Sequence, residues 1–271
     1  LKDWLTNLLC SLIPEIDVYD IASGEWSTVG SLPLQYQVSD HAGFAKDDAV
    51  YIAGGYTTAD YIAVGTVLKI DSDVKFTEVK SLTAPRGDVF GVASDDGTSA
   101  FVAGGFTNED WCSPLDTVEK YTFASDTWVD LPKLATARAE VLLVENDNHL
   151  YSLGGEYPLY ELCNTSEGIT DVGSKTVGTD KVEILMDGEG EWKFLESFPE
   201  QLFRFAAVGA AEKDKIYVFG GQTKYEASCE CTKTTDHVWV FEKPEDAAAG
   251  NHISLFAAFV ASVSTFFLMY A

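Results

Sequence analysis

VYIAGG at 50–55 returns as AFVAGG at 100–105, LYSLGG at 150–155 and IYVFGG at 216–221. The glycine pairs Gly54–Gly55, Gly104–Gly105, Gly154–Gly155 and Gly220–Gly221 are 50, 50 and 66 residues apart. An aromatic stands three residues before each first glycine: Tyr51, Phe101, Tyr151 and Tyr217. Short apolar or alternating runs bounded by turn residues read as buried strands. A turn-rich cluster precedes each run: Lys46-Asp47-Asp48, Asp95-Asp96-Gly97-Thr98, Asn146-Asp147-Asn148 and Lys213-Asp214-Lys215. Another short apolar strand lies before each cluster, such as Val141-Leu142-Leu143-Val144. Each unit therefore opens with a tight hairpin ending in Gly-Gly.

A second hairpin follows. Val118 to Tyr121 leads through Ala124-Ser125-Asp126 to Trp128. Val18-Tyr19 leads through Ser23-Gly24 to Trp26, and Val182 to Leu185 leads through Gly188 to Gly190 to Trp192. The version at Val67 to Ile70 has Phe76 in place of Trp. Two hairpins make a four-stranded sheet that cannot bury both faces alone, so neighbouring sheets must stack.

A Gly-Gly hairpin, a tyrosine-bearing strand and then Trp, at a period near fifty over residues 16–243, resemble the kelch repeat. The resemblance implies an all-β fold, a β-propeller whose blades circle a central channel. The glycines then allow close backbone approach at the crowded axis, and Trp26, Trp128 and Trp192 fill the wedge between blades. These residues are expected to be structural. Residues 16–29 supply only the outer two strands of a blade, three complete units follow, and the last unit has three strands. Four to five blades are expected. Either the repeat array is incomplete at its N-terminus, or the first pair of strands closes a small ring against the last unit.

Outside the repeats, 1–15 reads as a non-repeat remnant and 244–252 as a linker of mostly small residues. The nineteen residues 253–271 carry no charge. As a helix they would span about 28 Å, close to a bilayer core. A membrane-spanning anchor and a GPI-attachment signal both fit this segment.

Forty-three acidic and 18 basic side chains give a net charge of −25. That excludes general nucleic-acid binding, which needs a basic surface, and favours a cationic or neutral partner. Strand alternation gathers the long loops, those after Gly-Gly and after the Trp strand, on one face, and loops on a rigid scaffold carry binding. Arg86, Arg138 and Arg204 stand at the heads of three successive units. Arg138 and Arg204 lie 16 residues before their glycine pairs and Arg86 lies 18 before, with Val38 at that place in the first unit. Resemblance to kelch propellers that bind acidic peptides implies that the three arginines grip ligand carboxylates. The alternative is that they bond the backbone connecting the blades.

Cys112, Cys163 and Cys229 follow their glycine pairs by 7, 8 and 8 residues, with Cys231 close behind. Disulfides between loops, unpaired thiols and a zinc site are the alternatives, and the usual zinc spacing is absent. Asn164-Thr165-Ser166, in the longest loop, is a glycosylation sequon. No catalytic motif appears, the four histidines are scattered, and no cofactor or metal is expected. The leading expectation is an interaction module at the cell surface or in the secretory pathway, held at a membrane by its C-terminus and binding a protein or glycan on the long-loop face. A sugar-acid isomerase on the same scaffold, using the arginines with Glu140 or Glu156, is the second. A cytosolic tail-anchored adaptor is the third.

Overall fold

The structure is a computed structural model that describes residues 13–57, 61–107, 112–158, 176–210, 215–226 and 231–242. It is an all-β propeller arrangement of four blades with a two-stranded hairpin ahead of them. Blade 1 orders Ala42–Lys46, Ala49–Ala53, Val67–Asp71 and Phe76–Val79 from hub to rim. Blade 2 is built in the same way from Phe90–Ala93, Ser99–Ala103, Val118–Thr122 and Thr127–Leu131. Blade 3 uses Leu142–Asn146, His149–Leu153, Val182–Leu185 and the short Lys193–Phe194. Blade 4 has Ala206–Gly209, Lys215–Phe219 and Val238–Glu242. All neighbours within a blade are antiparallel, and the hub strands of blades 1 to 4 lie against one another in succession.

Alternation within each strand gives every blade two apolar faces, and each interior seam joins the forward face of one blade to the backward face of the next. Between blades 1 and 2, Phe44, Tyr51 and Ala53 meet Ala100, Val102, Tyr121 and Trp128. Between blades 3 and 4, Val144, Tyr151 and Leu153 meet Ile216, Val218, Trp239 and Phe241. The glycine pairs tie these seams at the hub. The second glycine of the first three pairs donates its N–H to the carbonyl heading the next blade: Gly55 to Arg86, Gly105 to Arg138 and Gly155 to Leu202, at 2.8, 3.2 and 2.9 Å. Gly104, at φ +67, shows why a side chain is excluded: a Cβ there would collide with the Arg138 carbonyl.

At the rim, Trp128 donates its indole N–H to the Lys80 carbonyl and Trp192 to that of Pro132, both at 2.8 Å. Each acceptor directly follows the outer strand of the preceding blade. Both rings are buried, as expected of wedge fillers. Trp26 departs from that expectation and is 70% exposed. It lies in the hairpin Glu15–Asp20/Glu25–Ser31, and among the described residues no blade precedes that hairpin to cover the ring.

The loops after the glycine pairs hold order that the sequence reading left out. Glu156–Pro158 pairs with Thr176–Gly178, and Gln222–Glu226 pairs with Cys231–Thr234, as short ribbons. Asn164, Cys163, Cys229 and the segments 1–12 and 244–271 lie outside the described residues. Among the described residues no helix is long and apolar enough to cross a membrane.

Candidate functional site

The three arginines divide into two kinds. Arg86 is fully buried. It donates to the Gly104 carbonyl at 3.0 Å, to Thr117 Oγ1 at 2.9 Å and to Glu119 Oε1 at 2.6 Å. Glu119 accepts the Thr83 backbone N–H with its other oxygen, at 2.8 Å. Blade 3 repeats the device: Arg138, equally buried, pairs with Glu183 and donates to Ser152 Oγ at 2.8 Å, while Glu183 accepts the Ala135 N–H at 2.8 Å. Each arginine–glutamate pair clamps the linker entering a blade onto that blade's third strand. The expected ligand-gripping role is therefore corrected for Arg86 and Arg138. Their guanidinium groups are out of reach of any ligand, and their pairing is what makes burial of the charge tolerable. The backbone-bonding alternative describes them.

Arg204 is not their counterpart. The carbonyl that receives the glycine-pair N–H marks the register, and in blade 4 it belongs to Leu202, two residues earlier. Leu202 stands where Arg86 and Arg138 stand, and Trp239 stands where Glu119 and Glu183 stand. Blade 1 likewise has Val38 and Leu68 at the two places. Arginine and glutamate are thus present together or replaced together by apolar residues, as the cost of an unpaired buried charge requires. The 16-residue spacing of Arg204 matched that of Arg138 only because the turn in the inner hairpin of blade 4 is two residues longer.

The true counterparts of Arg204 are Asp40, Asp88 and Glu140. All four occupy the left-handed region, at φ 51, 53, 54 and 48 respectively. In each case the immediately preceding residue pairs with the residue that follows a glycine pair, as in Ser39–Tyr56, Gly87–Phe106, Ala139–Glu156 and Phe203–Gln222. This puts the four side chains at the hub on the face where the long loops begin. Four non-glycine residues held at positive φ are costly for the backbone, and such positions cluster at binding and catalytic sites.

The side chains interlock from blade to blade. Tyr56, fully buried, donates its hydroxyl to Asp88 at 2.9 Å. Its ring stacks on Tyr61 with centroids 4.5 Å apart, and Tyr61 reaches Asp40 at 3.4 Å. Arg204 Nε lies 2.6 and 2.9 Å from the two oxygens of Glu140, and Nη2 lies 3.9 Å from Glu156. Thr176 donates to Glu156 at 2.5 Å. Glu140 and Glu156 thus share one arginine, with Asp88 in its field, and the arginine side chain is 43% exposed.

Burial, with Asp40 and Glu156 nearby, pushes the Asp88 carboxyl up to about 7 against the Tyr56 hydrogen bond and Arg204. Burial, with Glu156 alongside, raises Glu140 above the usual carboxylate range against the pull of Arg204. Burial raises Glu156 as well. Burial and the Asp88 charge lift the Tyr56 hydroxyl far above its ordinary value, so it stays a donor. The arrangement can hold a cation among the carboxyl groups, present Arg204 to an anion, or exchange a proton near neutral pH through Asp88.

A cavity of about 210 Å³ opens at the opposite end of the hub, lined by Asp95, Glu145, Asn146 and Gly209 among others. It is smaller than the usual ligand pocket, and Glu145 is engaged there by the Asp95 backbone N–H at 2.9 Å. Among the described residues no group of His, Cys, Asp and Glu is arranged to hold a metal. Cys112 is disulfide-bonded.

A family model described as the Kelch motif matches residues 96–135, which span blade 2 from its inner turn to the linker beyond. The chain is 26% identical over 214 residues to Kelch-like protein 35 of Mus musculus, covering 77% of this chain and 32% of that one. It is 25% identical to Kelch repeat protein M-T8 of Myxoma virus (75% and 35% covered) and 27% identical to Alpha-scruin of Limulus polyphemus (78% and 22%). The chain thus spans about a third or less of the length of these relatives. Among solved structures, one titled "Structure of YjhT" superposes with a TM-score of 0.67 at 12% identity, over 86% of this chain and 74% of that one. At that identity the likeness speaks to the fold alone.

Proposed function

The chain is a kelch-repeat β-propeller, and from that premise we propose that it acts as a protein-interaction module whose binding face is the long-loop side of the hub. The observation that carries the reading is the convergence of Asp40, Asp88, Glu140, Glu156 and Arg204 at that face, each contributed by a rigid blade. A net charge of −25 draws cationic segments toward the molecule, and the carboxyl groups at the hub offer a lysine or arginine side chain several acceptors at one point. In this reading a membrane holds the propeller through residues 253–271, and a protein, or a glycan with a cationic substituent, is the ligand.

Selection of displayed peptides on the immobilised chain tests it. Lysine- or arginine-bearing sequences are expected to enrich, and Glu140→Gln with Glu156→Gln is expected to cut their capture at least tenfold. Enrichment indifferent to those two substitutions would remove the site assignment.

A second reading rests on one specific observation: Asp88, raised to about 7, lies beside the Tyr56 hydroxyl and within the field of Arg204. An acid–base group near neutrality next to a partly exposed guanidinium suits a small anionic substrate such as a sugar acid. Turnover of sugar acids that disappears in Asp88→Asn would favour it over simple binding.

A further inference from the structure

Burial and charge are out of balance at the hub. Asp88, Glu140 and Glu156 are 8, 5 and 2% exposed. Among the described residues the one cation that serves them is Arg204, which bonds Glu140, lies 3.9 Å from Glu156 and acts on Asp88 through its field. One guanidinium spans Glu140 and Glu156, so these two carboxyl groups are neighbours. Inside the blades the same residue type is treated differently: Glu119 has Arg86 as its partner and Glu183 has Arg138.

Ionising all the buried hub carboxyl groups would leave negative charge uncompensated away from water, a cost that a carboxyl group escapes by keeping its proton. The other neighbours do not supply the missing charge. Tyr56 donates to Asp88 and Thr176 to Glu156 as neutral groups. Tyr61 is neutral as well, and Asp40, which it reaches, adds a further negative charge. Loss of hydration holds His41, next to Asp40, below its ordinary value, so it brings no positive charge at neutral pH. The upward shifts of Asp88, Glu140 and Glu156 agree with this balance: the empty hub keeps protons that exposed carboxylates have lost.

Resting on the reading of the hub as a cation-binding site, we propose that a lysine or arginine side chain enters it in exchange for a proton, so that the ligand is held at neutral and alkaline pH and released as pH falls. The incoming cation supplies the charge that the buried carboxyl groups lack. A carboxyl O–H then breaks, its proton passes to solvent, and the carboxylate left behind pairs with the ligand. Exposed carboxylates titrate near about pH 4 and lysine near about 10, so attraction to the rest of the acidic surface is almost level across this range. A pH-dependent component is thus the mark of the hub.

Calorimetric titration of the full 271-residue chain with hexalysine, at neutral pH in buffers of different ionisation enthalpy, counts the protons released. About one proton per bound peptide is expected, and affinity should rise about tenfold from pH 6 to pH 8. A variant with Asp88→Asn, Glu140→Gln and Glu156→Gln puts amides where the folded chain already tolerates protonated carboxyl groups. Once its melting transition at pH 5 is shown to be no lower than the parent's, it should release no proton and bind more weakly at pH 8. Binding by the parent chain without proton release overturns the proposal and leaves the cation-binding reading standing. Equal proton release from the variant also overturns it, because the proton then comes from elsewhere. Failure of hexalysine to bind at any pH, or equal affinity in the variant, removes the reading of the hub and the proposal with it.

Discussion

Arg138 and Arg204 stand at the same distance from a glycine pair, yet one is a buried strut and the other sits at the mouth of the hub. Arg138 shares its charge with Glu183 inside the blade. Arg204 faces Glu140 and Glu156 across a seam, with part of its side chain in water. Spacing in sequence could not separate them, because a turn two residues longer shifts register while preserving strand parity. The same apolar–polar alternation is read either way. The carbonyl that meets the glycine pair separates them at once.

The largest expected effects lie in the contrast between buried and open tryptophans. Trp128→Ala removes a buried ring and its bond to Lys80, and should cost about 3–5 kcal/mol in urea unfolding. Trp26→Ala should stay within about 0.5 kcal/mol in the isolated chain, since its ring is mostly in water. Equal losses would mean that the hairpin is buried in solution.

The clamp gives a sharper test. Glu119→Leu alone strands the Arg86 charge and should cost about 3–5 kcal/mol. Adding Arg86→Val recreates the Val38 and Leu68 pair of blade 1 and should recover most of that loss. If the double variant is no better than the single one, the clamp does more than hold the linker.

The hub carboxyl groups predict a smaller, pH-dependent effect. Asp88 keeps its proton in the folded chain up to about pH 7 but loses it near pH 4 when unfolded. Its contribution is therefore full below about pH 4 and declines as pH rises toward 7. The upward shifts of Glu140 and Glu156 act in the same direction. Melting temperature should be higher at pH 5 than at pH 8, and Asp88→Asn should flatten the slope. A melting temperature that climbs over this range would contradict the assignment.

The blades were legible because the glycine pairs and the aromatics before them are local signals imposed by crowding at the hub. Trp128 and Trp192 followed from the same pattern. Trp26 did not, because its burial depends on a neighbouring blade and not on its own strand. The hub site was legible only in part. Glu140 and Glu156 stood out as carboxylates near the arginines, whereas Asp40 and Asp88 acquire meaning only once the three seams between the four blades bring them together. One signal was available and unread: Arg86 with Glu119, Arg138 with Glu183, Val38 with Leu68 and Leu202 with Trp239 vary in step within this one sequence. That covariation fixes the register and sets Arg204 apart.

The separation of strut from hub is tested most directly by the unfolding midpoints of Arg138→Met and Arg204→Met measured side by side. Arg138→Met leaves Glu183 buried without its partner and should lower the midpoint by roughly 10 °C, while Arg204→Met should move it by no more than about 3 °C. Matching losses in the two variants would return Arg204 to the blade interior and contradict the account.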